Sequence, residues 1–311
     1  MPEFSTSSIA NVVVDQSHWG RIQVSGDDRL RFLHNQTTND LQSLKPGQGC
    51  ETVFVTSTGR TIDLVTALVL EDSVLLLTSP GYDQRLIDWM DRYIFFADRV
   101  ELKNLTSSTV CFTLIGSPED LRDSIGFTEL DRPYSHQVVS IAGIETRLSV
   151  GTGLALPGYT LIASSADADA LRQHFSAMTM LDDAAWEKLR IEQGRPMPDR
   201  ELTEDYNPLE AGLWHTISLS KGCYIGQETI ARLHTYRGVK QQLWGVRLDG
   251  EAQPETPVFV GDEKVGKLTS AIDHIGLAYI RTKAIEPNLK VKVGDRSAEL
   301  VALPYLSHEY I

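Results

Sequence analysis

Residues 221–228 read K-G-C-Y-I-G-Q-E, the most distinctive run in this 311-residue chain. Two glycines in five residues let the backbone take positive φ or approach a ligand closely. Cys223, between them, is expected to be exposed, and Lys221 two residues away would favour its thiolate. A helix is expected from near Gly226 through Glu228 to Leu233, with its first N–H groups open to an anion. From 221 to 240 the cations are Lys221, Arg232, Arg237 and Lys240, and the one acid is Glu228. This local positive excess should attract an anionic ligand. Read from the residues alone, a glycine turn joining two domains, with a cysteine that happens to lie in it, explains the run as well.

Upstream, Asp182 suits the N-cap of a helix carrying Ala185, Trp186 and Leu189 toward a core. That helix should end at Gly194, with Pro196 and Pro198 preventing its continuation. Its last turn is Arg190-Ile191-Glu192-Gln193-Gly194. Two residues on a helix lie about 200° apart, so Arg190 and Glu192 cannot form a same-face pair. A carboxylate at Glu192 also opposes the helix dipole, typically by about 0.3–1 kcal/mol. A heterocycle offering two N–H donors would compensate. A solvated glutamate at a frayed helix end is the alternative.

Outward from this segment, short strands and a few helices alternate without a βαβ rhythm. Strands are expected at Arg21–Val24, Thr52–Thr56, Thr61–Leu70 and Ser73–Thr78, and helices at Asp27–Asn35 and Asp83–Ile94. In the latter, Leu86, Trp89, Met90 and Tyr93 follow helical spacing. A second unit starts near Val100, with strands at Thr109–Ile115, Gln137–Ile141, Thr146–Val150 and Tyr159–Ala163 and a helix from about Asp167 to Met178. From Gln241 the texture is strands only, punctuated by Gly250, Gly261-Asp262 and Gly294-Asp295, as in a small β-barrel or jelly roll.

The net charge of −13 disfavours general nucleic-acid binding. No apolar stretch approaches a membrane span, because Glu71 and Asp72 interrupt the longest. The first residues lack a basic and an apolar leader region, so a cytoplasmic location is expected. Three widely spaced cysteines, Cys50, Cys111 and Cys223, form neither a disulfide framework nor a C-x-x-C metal site. Gly151-Thr152-Gly153 reads as a turn rather than a dinucleotide site. His34 and His136 are expected at the surface or in caps; His215 and His234, flanking the signature, earn more suspicion. Trp19, Trp89, Trp186 and Trp214 read as core.

K-G-C-Y-I-G-Q-E resembles the signature of the YgfZ family, folate-binding proteins that support iron–sulfur enzymes and are related to the aminomethyltransferase (T-protein) of glycine cleavage. The resemblance extends to GRIQVSGDDRLRFLHNQTTNDLQSLKPGQG (20–49), FVTSTGRTIDLVTALVLED (54–72) and RIEQGRP (190–196), and is weaker over the C-terminal strands. It implies an α+β fold, a multidomain ring of mixed domains like that of the aminomethyltransferases, closed by a small C-terminal β-barrel. Its units would be 1–100, the folate-binding domain; 101–235, carrying the signature loop; and 236–311, the barrel. Tetrahydrofolate would occupy the central hole, with the pterin on Glu192 and further contacts from Arg190, Asp63, Lys221, Tyr224, Gln227 and Arg232. Cys223, Lys221 and Asp63 are the implied candidates for chemistry, with no metal site, and the implied partners are folate and iron–sulfur client or assembly proteins around a monomer.

One departure bears on activity. The transferases carry paired aspartates after the glycine turn, where this chain has Ile62-Asp63-Leu64. Leu64 can neither accept a proton nor stabilise a cationic folate, and neighbouring strand residues face opposite sides. The cysteine in the G-Q-E segment likewise favours the YgfZ side. Two other functions stay open: a folate-dependent one-carbon transferase, aminomethyl-transferring or demethylating, with Asp63 as acid or base, and a scaffold without ligand.

Overall fold

The first strand of the chain, β1 (Val12–Asp15), is apolar on both faces and belongs in the middle of a sheet. The computed structural model, which describes residues 11–126, 130, 132–286 and 289–308, places it there. β2 (Gly20–Ser25), β3 (Gly49–Val55), β4 (Thr61–Val69), β5 (Ser73–Thr78) and β6 (Glu101–Asn104) form one antiparallel sheet in the order β3-β4-β5-β2-β6. Helices α1 (Arg29–Gln36) and α2 (Asp83–Asp91) cover one face, packing Phe32, Leu33, Leu86, Trp89 and Met90 on Phe54, Val65 and Ala67. α2 is shorter than its periodicity suggests, because its end tightens into three-residue bonds, Tyr93 N–H to the Met90 carbonyl and Ile94 N–H to that of Asp91.

β7 (Thr109–Ile115), β8 (His136–Ile141), β9 (Ile144–Val150), β10 (Gly158–Ser164) and β11 (Thr179–Leu181) form the second sheet, in which β1 lies between β7 and β11. The helices α3 (Pro118–Ile125) and α4 (Ala168–His174) close its core around Phe112, Leu114, Leu148 and Phe175. The helix expected to Met178 ends at His174 and passes into a short 3-10 turn, Phe175–Ala177. The sheets do not part at residue 100. β1 comes from the expected first unit and pairs in the second sheet, and β6 does the reverse, because each finds its partners far away in sequence.

α5 (Asp183–Gln193) follows the sequence closely. The Asp182 carboxylate accepts the Ala185 N–H at 2.8 Å, and Gly194 ends the helix at φ +90°. A Cβ there would also meet Leu303 at 2.8 Å, so glycine is required twice over. The irregular segment from 195 to 226 then packs Leu202, Tyr206, Leu209, Leu213 and Trp214 between the first sheet and the barrel, forming the central core. All four tryptophans read as core are buried.

After α6 (Gln227–Thr235), strands β12 (Gln241–Leu248), β13 (Pro257–Val260), β14 (Glu263–Ile272), β15 (Ile275–Arg281), β16 (Lys290–Val293) and β17 (Arg296–Val301) close into a barrel in the order β12-β15-β14-β13-β16-β17. Closure removes sheet edges, as expected for evenly spaced short strands. Tyr279 of the barrel stacks on Tyr206, their ring centroids 3.5 Å apart, and fixes barrel to core. The architecture is the expected α+β arrangement with a C-terminal barrel. No helix among the described residues is long and apolar enough to cross a membrane.

Candidate functional site

The two sheets turn faces toward each other where Leu68 and Leu75 meet Cys111 and Ile162. Beside this contact lies a narrow cavity of about 30 Å³, lined by Gln16 and Trp19 from the β1–β2 connection, Thr66 of β4, Thr152, Thr160 of β10, and Arg195. The β1–β2 connection is held by the buried Arg21, whose guanidinium donates to the carbonyls of Ser17, Trp19, Thr106 and Thr109. A wider groove of about 300 Å³ runs along α2 past Arg85, Trp89, Arg92 and Tyr93, with Glu204 across it. Its two arginines lie at the exposed surface, whereas the two that line the cavity, Arg21 and Arg195, are buried.

Arg195 follows the helix-ending Gly194 directly and is 3% exposed. Through Nη1 it donates to Glu51 Oε1 (3.1 Å), the Gly153 carbonyl (2.7 Å) and Tyr305 Oη (3.1 Å). Its guanidinium lies against Trp19, 5.5 Å from the ring centroid. Nε is buried without a hydrogen-bond partner among the described residues. Such an orphan donor beside a cavity is a place for an acceptor to dock. Glu51 also accepts from Tyr134 Oη (2.8 Å) and lies 3.4 Å from His215 Nε2. Burial pushes this carboxyl up, but the His215 hydrogen bond and the Arg195 charge outweigh it and hold it at about 2. Both sheets, the signature-flanking His215 and the C-terminal Tyr305 thus converge on one buried ion pair.

The acid retained on β4 is bonded to Ser79, and the Arg195 charge also acts on it. Asp63 accepts the Ser79 N–H (3.0 Å) and the Ser79 Oγ–H (2.6 Å), and burial pushes its carboxyl up to about 6 against those bonds. Leu64, on the opposite face, is in the central core with Ile191 and Leu202. Among the described residues no carboxylate lines the cavity.

The other residues singled out from sequence are dispersed. Arg190 is fully buried in a network with Glu187 (2.6 Å), Glu201 (2.9 Å) and Ser270 (2.7 Å). Glu192 is half-buried. Burial raises its pKa, and its charged neighbours are Lys188 and Asp273, at the β14–β15 turn. Tyr224 is buried with its ring 4.7 Å from Lys221 Nζ, Gln227 opens α6, and Arg232 and Cys223 are exposed.

Lys221 differs from its sequence reading. Its ammonium is buried and donates to the carbonyls of His34 (2.5 Å), Thr37 (2.7 Å) and Asn39 (2.7 Å), so its charge is spent at the end of α1 rather than on an anion. Burial pushes its pKa down to about 8. Lys221 is thus tied to the end of α1, whereas the charged neighbours of Glu192 are Lys188 and Asp273. His34 and His136 are buried rather than superficial, each held beside a charged partner, Asp40 and Arg147. His234 packs against the Trp214 ring. Among the described residues no cluster of three or more His, Cys, Asp or Glu side chains could hold a metal ion. Lys221→Met should strand three carbonyls, each at a cost of about 1–3 kcal/mol if left buried. The expected result is a lower melting temperature and faster amide exchange at Ile225, whose N–H is bonded to the Asn35 carbonyl.

With this geometry in hand, comparison with known proteins decides the family. Residues 3–221 match the GCVT N-terminal domain, and residues 240–304 match the CAF17 C-terminal β-barrel domain. The chain belongs to the GCVT family. A putative transferase of Arabidopsis thaliana, described as chloroplastic, is 46% identical over 96% of this chain and 72% of its own length. An aminomethyltransferase of Halalkalibacterium halodurans is 28% identical, over 93% of this chain and 83% of its own. The fold also matches the crystal structure of the glycine cleavage system aminomethyltransferase T from Bartonella henselae, with a TM-score of 0.82, 19% identity and coverage of 97% of this chain and 88% of that one. Within this GCVT chain, Glu51, Arg195, Tyr134 and Tyr305 escaped the sequence reading. Arg195 between Gly194 and Pro196, and Glu51 as the lone acid of β3, were the available signals.

Proposed function

We propose that this GCVT-family protein binds tetrahydrofolate at the interdomain cavity and supports the assembly or repair of iron–sulfur proteins, without itself transferring a one-carbon unit. One observation carries the division between binding and transfer. Asp63 is bonded through both oxygens to Ser79, Leu64 fills the core, and among the described residues no acid lines the cavity. Proton transfer at a folate nitrogen needs a positioned acid or base within hydrogen-bond reach.

The donor set fits the ligand's chemistry. The free N–H of Arg195 suits a carbonyl or ring-nitrogen acceptor, and the indole of Trp19 suits a flat heterocycle. The free space, about 30 Å³, holds one water molecule. A pterin is larger than this space, so its binding requires the cavity to widen. The CAF17-type barrel and the K-G-C-Y-I-G-Q-E loop with exposed Cys223 support the iron–sulfur assignment.

Two measurements test the reading. Tetrahydrofolate at about 100 times its dissociation constant should stabilise the native protein by about 2.7 kcal/mol, with a change in Trp19 fluorescence. The same protein should leave an aminomethyl or N-methyl donor unconverted, and cells lacking it should lose iron–sulfur enzyme activity that the wild-type chain restores. Turnover of either donor would instead establish the one-carbon transferase, with Asp63 as its acid or base.

A further inference from the structure

A second opening lies between the two sheets, beyond the contact of Leu68 and Leu75 with Cys111 and Ile162. It is a groove of about 240 Å³. Along β5 and β10 the lining passes from Leu77 and Thr160 at the Arg195 cavity to Leu75 and Ile162 at the groove, and the two share no lining residue. Leu70, Leu75 and Leu105 form one apolar wall, and Val138 and Ile162 the other. Val138 is 49% exposed, so this wall is open to solvent. At the ~30 Å³ that each water occupies in the liquid, the groove has room for about eight, enough for a short alkyl chain.

One cation stands among these side chains. On β9, Leu148 turns into the core of the second sheet, which leaves its neighbour Arg147 on the groove face, directly opposite Val138 of β8. The half-buried guanidinium donates to His136 Nδ1 at 3.0 Å, its one hydrogen bond among the described residues. A guanidinium can only donate, so Nδ1 accepts and the imidazole proton is on Nε2. Burial, and after it the Arg147 charge, hold His136 at about 4, so the ring is neutral at neutral pH and offsets none of the arginine's charge. Glu145, two residues earlier on the same face, is exposed and attracts Arg147 without forming an ion pair with it. Burial pushes the Arg147 pKa down against that attraction. A charge withdrawn from water without a paired counter-charge is costly, and an anion docked beside it relieves the cost.

We infer that this groove is a second ligand site, which takes a short amphipathic carboxylate. Its head pairs with Arg147, and its alkyl body lies along Leu70, Leu75, Leu105, Val138 and Ile162. The planar fork of arginine meets a carboxylate through two parallel N–H donors, which selects an acid over a neutral molecule of the same length. The inference is independent of the folate reading, since it uses none of the residues that line the cavity.

The test is calorimetric titration of the full chain with octanoate, below the concentration at which it forms micelles. Saturable binding of one molecule per chain is expected. Hexanoate should bind about fourfold more weakly for each methylene removed. Octan-1-ol should bind at least about tenfold more weakly, because the charge-assisted head contact is lost. Arg147→Gln should weaken octanoate by a similar factor and leave octan-1-ol unaffected. Glu145→Gln should tighten octanoate binding by removing a like charge from the groove, and Val138→Asp should weaken it by adding one. No saturable binding, octan-1-ol as tight as octanoate, or an Arg147→Gln constant equal to that of the wild type overturns the assignment. Should Arg147→Gln fail to fold, the two exposed positions decide. Opposite shifts in Glu145→Gln and Val138→Asp support the site, and constants unchanged in both overturn it.

Discussion

Arg195→Met is expected to destabilise the protein by about 3–5 kcal/mol, the cost of leaving a buried charge without its partner. Arg195 and Glu51 are 3% and 2% exposed, and the substitution would also strand the Gly153 carbonyl. The loss should appear as a lower urea midpoint. Adding Glu51→Met to the same chain should recover much of it, because removing both charges removes the uncompensated one. Stability should also depend on pH. The folded Glu51 carboxyl, at about 2, lies below its unfolded value of about 4.3, so its contribution is complete above the unfolded value. That contribution should fall away as the pH drops from about 4.3 through 2, and the double variant should lack this acid limb. Asp63 has the opposite sign. Its folded pKa, about 6, lies above the unfolded value, so stability should decline as the pH rises from about 4 to 6.

Leu64→Asp should cost at least about 4 kcal/mol and confer no transfer activity. Truncating a buried leucine alone costs about 2–5 kcal/mol, and a carboxyl placed in apolar surroundings adds a desolvation penalty that it relieves only by staying protonated. Leu64 is 1% exposed in the core that joins β4 to α5 and the barrel. Restoring the acid would breach a packed wall rather than refill a catalytic slot. Leu64→Val, which keeps the side chain apolar, should cost only about 1 kcal/mol. Thermal unfolding of both variants, with an aminomethyl-donor assay on whatever folded Leu64→Asp is recovered, checks the claim. Folate-dependent turnover in that variant would show that the cavity retains the rest of a transferase site.

What could be read from sequence follows how local its cause is. The start and end of α5 were legible because Asp182 and Gly194 act within one turn, and the barrel strands because alternation and Gly-Asp turns are short-range. Placing β1 in the second sheet was not legible, since the partners that decide it, β7 and β11, lie about a hundred residues and more away. Lys221 misled for the same reason. A cation in a glycine loop reads as an anion site, and nothing local reveals three carbonyls at the end of α1. Glu192 was closer to hand. Lys188, one turn earlier on the same helix, supplies some of the compensation its position seemed to demand. The Glu51–Arg195 pair, joined across 144 positions, left only two faint marks, a lone acid in an apolar strand and an arginine pinned between glycine and proline.

Amide hydrogen exchange with and without tetrahydrofolate puts the central claim, a folate seated between the two sheets, to its most direct test. Added ligand should slow exchange around Trp19, Thr66, Gly153 and Arg195, the residues that converge from both sheets and the end of α5. Protection confined to the α2 groove, around Arg85 to Tyr93, or no protection at all, would contradict it.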